Sequence, residues 1–170
     1  MSCLINSGYS LGCRDSVGGV EYVALASWET GVTYTTGTAS IITNMSPTMS
    51  FYLYEQYTEQ ALASQEGAFD NANGTAHYVQ TITLILEKMD AATREQFLAL
   101  TQARVRAIVK TQNGRYFLFG KVNGGRASAG SSGPGQAMGD LAGFTITLEF
   151  KEFEPADEME EALALSLITA

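Results

Sequence analysis

The sequence predicts a mainly β fold carrying a single helix, and three patterns between residues 78 and 122 support it. Tyr78, Gln80, Ile82, Leu84 and Leu86 alternate with Val79, Thr81, Thr83 and Ile85, the period-two pattern of a half-buried strand. Residues 90–103 then change to helix formers behind Asp90, whose carboxylate can accept a hydrogen bond from the free N–H groups of a first helical turn; Phe97, Leu98 and Leu100 are placed to cover one side. Finally, residues 105–110 and 115–122 form two strand-like runs around Gln112, Asn113 and Gly114, where Asn-Gly supplies the positive φ angles of a tight hairpin turn.

The remaining elements follow from the N-terminus. Residues 7–19 place Gly8, Gly12, Gly18 and Gly19 among polar residues, so residues 1–19 are expected to form an arm or a structured loop. The run from Val20 to Trp28 reads as the first strand, ended by the only tryptophan. Residues 30–40 are rich in Thr and Gly, suited to an extended loop or ragged hairpin, and a weaker strand includes Ile41 and Ile42. Residues 51–60 put Phe51, Leu53, Glu55 and Tyr57 on one side and Tyr52, Tyr54, Gln56 and Thr58 on the other, so this strand is expected to be covered on both faces.

Residues 61–74 turn small and polar and end in Asp70-Asn71-Ala72-Asn73-Gly74, a turn before the long strand. Residues 123–139 are Gly- and Ser-rich with Arg126 the only charge, a composition that buries too little apolar area to offset ordering entropy and predicts a mobile connector. Phe144, Ile146, Leu148 and Phe150 then alternate with Thr145, Thr147, Glu149 and Lys151, an amphipathic strand that should seal one side of the core. Residues 154–170 read as an acidic tail with helical character, whose apolar Leu163, Leu165, Leu167 and Ile168 have no evident home in a monomer. The expected core comprises Ile82, Leu84, Phe97, Ile108, Leu118, Ile146 and Leu148.

Composition bounds the function. With 170 residues, 45% of them apolar, the chain can bury one sizeable core. A formal charge of −8 argues against a basic face built to neutralise phosphates, so a DNA-binding module is not expected. Cys3 and Cys13 match neither a disulfide framework nor a metal-ligand spacing, and with one histidine no set of four zinc ligands is in prospect; both read as reduced thiols of a cytosolic protein. The first nine residues lack the features of a secretory signal, and no stretch approaches the ~20 apolar residues needed to cross a bilayer, so no membrane partner is expected.

Catalytic groupings are scarce. His77 would have to anchor any Ser/His/Asp or Cys/His site, yet it stands beside the Asn73-Gly74 turn without a nucleophile signature. The pairs Glu55/Glu59 and Glu158/Glu161 read as solvated carboxylates, since no second feature marks either as an acid and base. Gly124, Gly125, Gly130, Gly133 and Gly135 lack the Gly-Lys-Ser/Thr ending of a phosphate-binding loop. Asn73-Gly74-Thr75 matches a glycosylation acceptor but reads as a turn, and the aromatics alternate as core residues do. No catalytic, cofactor-binding or metal site is predicted, and no cofactor; the chain is expected not to be an enzyme.

This order of elements resembles the tail-tube family of tailed bacteriophages, in which a β-barrel or sandwich carries one helix between strands and forms rings through loops and arms. The segments LGCRDSVGGVEYV, TLILEKMDAATREQFLAL, RAIVKTQNGRYFLFG and GDLAGFTITLEFKEFEPA are similar to virion structural proteins of phages of gut bacteria, including crAss-like phages. The likeness spans nearly the whole chain, and the acidic stretch beyond Pro155 departs from it. The resemblance implies a tail-tube-like domain over residues 20–153 and a virion structural protein, assembled in the host cytoplasm. It further implies self-assembly into hexameric rings that stack into a tube and contact other tail proteins. Sheet edges, an arm and a Gly/Ser loop suit such assembly, and an acidic wall would let DNA pass without specific binding. Alternatives are a terminator, collar or hub ring of the virion, a carbohydrate-binding module using the aromatics, and a small hydrolase using His77.

Overall fold

The computed structural model describes residues 8–14 and 16–169. In chain order the elements are β1 (Val20–Ser27), β2 (Thr33–Thr36), β3 (Ile42–Ser46), β4 (Phe51–Glu55), β5 (Leu62–Asp70) and β6 (Thr75–Glu87), then helix α1 (Ala91–Gln102). They continue as β7 (Val105–Thr111), β8 (Tyr116–Phe119), β9 (Gly125–Gly133), β10 (Gly143–Glu152), β11 (Asp157–Met159), helix α2 (Glu161–Leu167) and β12 (Ile168–Thr169). The fold is mainly β, with a helix packed on one open sheet.

The longest path through that sheet runs β2-β3-β11-β8-β7-β9-β10-β6-β5, while β1 takes the other edge of β7, β4 pairs with β1, and β12 with β4. The pivot is β7. On one edge it pairs with β1 along its whole length; on the other it pairs with β8 through Ala107 to Lys110 and meets β9 only at Val105↔Gly125. Beyond that single pair β9 leaves with β10, so β5, β6, β10 and β9 form a four-stranded leaf set off from the remaining strands.

Two cores result, one on each face of the central strands. Alternation sends Val23, Leu25, Val105, Ala107 and Val109 into the first, where they meet Ile82, Leu84, Ile146, Leu148 and Phe150 of the leaf. Ala24, Ala26, Ile108 and Leu118 point the opposite way and pack with Ile42, Met45, Phe51, Met159, Ala164 and Leu167. A strand covered on both faces has no polar side to display, which explains the unbroken apolar run Val23-Ala24-Leu25-Ala26.

The amphipathic reading of β6 and β10 holds, and six of the expected core residues have 0% exposure: Ile82, Leu84, Ile108, Leu118, Ile146 and Leu148. Asp90 caps α1, its Oδ1 accepting from the Thr93 N–H at 2.7 Å. Phe97 is half-buried, its ring 4.9 Å from that of Phe144, and only Leu100 of the helix is buried. Leu98, expected on the same side, is exposed because one residue along a helix is rotated away from the face shared by positions three apart.

Several expectations are corrected. In the β7–β8 turn only Gly114 has positive φ (74°); Asn113 does not, because the loop Gln112-Asn113-Gly114 is a three-residue turn in which Gly114 N–H donates to Thr111 O (2.9 Å). The stretch before the Asp70–Gly74 turn, read only as small and polar, is strand β5 (Leu62–Asp70), paired with β6 from Leu62↔Thr83 to Asp70↔Thr75. Only residues 71–74 make the turn, with the Asp70 carboxylate accepting from the N–H groups of Ala72 and Asn73. The ragged hairpin expected over 30–40 pairs Thr33–Thr36 with Ile42–Ser46, and Ile41 lies outside the strand.

The strand over 51–60 stops at Glu55; within it Phe51 enters the second core and Tyr54, on the other side, packs against the first, while Tyr52 is exposed. The expected connector over 123–139 contains β9, held by backbone pairing to β10 rather than by apolar side chains. The expected tail is structural: β11 pairs with β8 and β3, Ala164 and Leu167 of α2 enter the second core, and β12 closes on β4 at Ile168↔Phe51. Leu165 alone of the large apolar residues in α2 is exposed.

Candidate assembly surfaces

The leaf is positioned by a polar clamp at residues 120–124, between β8 and β9. Buried Gln80 accepts the Gly120 N–H (3.1 Å), and Glu152 Oε1, also buried, accepts from Val122 N–H (3.1 Å) and Asn123 N–H (2.8 Å). Burial pushes the Glu152 carboxyl above the ordinary glutamate value, and the N–H groups of Asn123, Val122 and Gly124 oppose that rise. From the other side, Trp28 Nε1 donates to Val122 O (3.0 Å) while the Arg104 guanidinium lies 3.6 Å from the Trp28 ring centroid and donates through Nε to Asn123 O (2.6 Å). Gly124 must be glycine here: an added Cβ would fall 2.4 Å from the Trp28 ring.

What the clamp presents is a sheet with one free face and two free edges. The inner face of the leaf carries the first core. The outer face carries Thr81, Thr83, Thr145 and Thr147, none of which belongs to either core, with Thr83 and Thr147 hydroxyls 3.3 Å apart and Ser128 donating to Thr147 O (3.3 Å). By register, Glu66, Asp70 and Glu149 share this face with Arg126 and Lys151, and Lys151 pairs with Glu149 at 3.2 Å. The far edge of β5 pairs with nothing among the described residues, and beyond Gly125 neither does the far edge of β9.

His77 is exposed on β6 opposite Ala68. No group of three or more His, Cys, Asp or Glu side chains that could hold a metal occurs among the described residues. Cys13 is exposed; Cys3 lies outside the described residues, as do the rest of residues 1–7 and residue 15 of the expected arm. Glu158 is engaged by Arg115 (3.0 Å). Comparison with protein-family models, curated proteins and solved structures finds no match.

A cavity of about 460 Å³ lies between β4, the end of β6 and the start of α1. Its polar groups serve one another. Gln56 imitates a strand, accepting from Ile85 N–H (3.0 Å) and donating to Ile85 O (3.1 Å), Tyr54 donates to Gln96 Oε1 (3.1 Å), and Gln60 donates to Glu87 (3.2 Å). Of the segments expected to contact other subunits, residues 8–14 of the arm are exposed, with Tyr9 and Leu11 each 90% exposed. The root of the arm is tied down, Val17 N–H donating to Asn113 Oδ1 (2.7 Å). The residues sequence reasoning missed are those of the clamp, because Gln80, Glu152 and Trp28 are scattered along the chain and form no local motif. No helix is long and apolar enough to cross a membrane among the described residues.

Proposed function

We propose that this chain is a virion structural protein that self-assembles into rings, hexameric as the resemblance implies, stacking into a phage tail tube through which DNA passes without specific binding. The supporting observation is the leaf, whose β5 edge, and whose β9 edge beyond Gly125, pair with nothing among the described residues. A long open edge displays a row of N–H and C=O groups that templates pairing with another chain, and β5 and β9 are different surfaces. Joining β5 of one subunit to β9 of the next is therefore a heterologous contact, and a heterologous contact that closes makes a ring. The hydroxyl-rich face, with its cations matched by carboxylates, suits a wall along which phosphates slide, since a surface without excess Lys and Arg releases no counterions on contact with DNA.

Size-exclusion chromatography with negative-stain imaging tests this. Rings with a central hole are expected, and Leu62→Lys on β5 or Ser131→Lys on β9 should abolish them while leaving the circular-dichroism spectrum unchanged. Rings that never stack would place the chain at a tail terminus, collar or hub. A folded chain that stays monomeric at every concentration overturns the proposal, and one that also retains a glycan would make it a carbohydrate-binding module.

A further inference from the structure

Three Asn-Gly dipeptides occur, at 73–74, 113–114 and 123–124. In such a pair the absent Cβ leaves the glycine nitrogen sterically free to reach the preceding carboxamide carbon. When it attacks, a bond forms between that nitrogen and the asparagine Cγ, the bond from Cγ to the amide nitrogen breaks, and ammonia leaves. Water then opens the resulting succinimide at either carbonyl, giving aspartate or isoaspartate. No other reactant is needed.

The fold treats the three sites differently. At 113–114 the attacking nitrogen is engaged, Gly114 N–H donating to Thr111 O at 2.9 Å. The Asn113 carboxamide is held at both ends, its Oδ1 by Val17 N–H (2.7 Å) and its Nδ2 by Ser16 Oγ (2.9 Å). At 123–124 the glycine is buried with its N–H facing Glu152, and Asn123 is fixed through its own N–H to Glu152 (2.8 Å), its C=O to Arg104 and its Nδ2 to Lys151 O (2.8 Å).

The site at 73–74 sits at the tip of the β5–β6 hairpin, past the Tyr78↔Glu152 pair where β10 ends. Asn73 and Gly74 are exposed, Gly74 N–H has no hydrogen-bond partner among the described residues, and nothing lies within 4 Å of where a Gly74 Cβ would stand. The carboxamide is held by one contact, Nδ2 to the exposed Asp70 carboxylate (2.6 Å).

We propose that Asn73 is a site of spontaneous deamidation through a succinimide closed by Gly74 N, set apart by the fold from the two protected Asn-Gly pairs. The product adds a negative charge beside Asp70, and in its isoaspartyl form lengthens the backbone of the hairpin turn while leaving both cores untouched. This does not depend on ring assembly.

The test is peptide mapping by mass spectrometry of the folded chain held at mildly alkaline pH, with isoaspartyl methyltransferase labelling, beside the same chain in denaturant. Modification at Asn73 should run several-fold ahead of Asn113 and Asn123 in the folded protein, and the three should converge in denaturant. Asn73→Gln should remove the early product. Earlier modification at Asn113 or Asn123, equal rates at all three, or a folded chain unmodified at Asn73 while the denatured chain reacts would each overturn the proposal.

Discussion

Leu84 and Ile146 face each other across β6 and β10 with no exposed surface, so neither can shrink without leaving a void in the first core. Leu84→Ala should cost ~2–5 kcal/mol, the lost transfer energy plus an incompletely relaxed cavity, read from urea unfolding. Glu152 calls for a different measurement. Its carboxyl is pushed above the ordinary value of 4.5 by burial, so the fold disfavours its charged form. A raised folded pKa contributes stability that is complete below the unfolded value and lost as pH rises through the folded one. Glu152→Gln keeps an oxygen for the Val122 and Asn123 N–H groups but has no proton to lose. The difference in urea midpoint between variant and parent should therefore move in the variant's favour as pH climbs above the ordinary glutamate range; a difference independent of pH would refute it.

Among the elements, the C-terminal segment carries the clearest prediction. Ending the chain at Pro155 removes Met159, Ala164 and Leu167 from the second core, strips β8 of its β11 partner and leaves β4 without β12. The truncated chain should lose the cooperative thermal transition of the parent by circular dichroism; an unchanged melting curve would show that α2 is dispensable. The helical character of this segment was legible in the sequence but its docking was not, because Ala164 and Leu167 bury against residues of β3 and β4, which no local periodicity announces. For β5 and β9 the reason is related: an edge strand is held by backbone hydrogen bonds, which every residue can make, so Leu62–Asp70 and Gly125–Gly133 carry no apolar alternation. Where burial itself sets the pattern, in β6, β10 and the Asp90 cap, sequence and structure agree. The leaf's free edges were foreseen only as a general liability of sheets, since which strand ends the sheet depends on pairings made across the whole chain.

At the scale of the whole molecule, the central strands β1, β7 and β8 serve as a wall shared by both cores; the leaf packs its inner face on that wall through the first core but pairs with it by backbone only at Val105↔Gly125. The sheet is thus completed by partners far apart in the chain: β1 waits for β7, β3 for β11, and β4 for β12. A ribosome emits these strands in order, so Phe51 and Met45 emerge long before α2 exists to cover them. Such non-local pairing slows folding and leaves apolar surface and unmatched strands bare on the nascent chain. Closure of the second core must therefore wait until Ala164 and Leu167 have emerged from the ribosome, with β12 docking beside β4 among its later events.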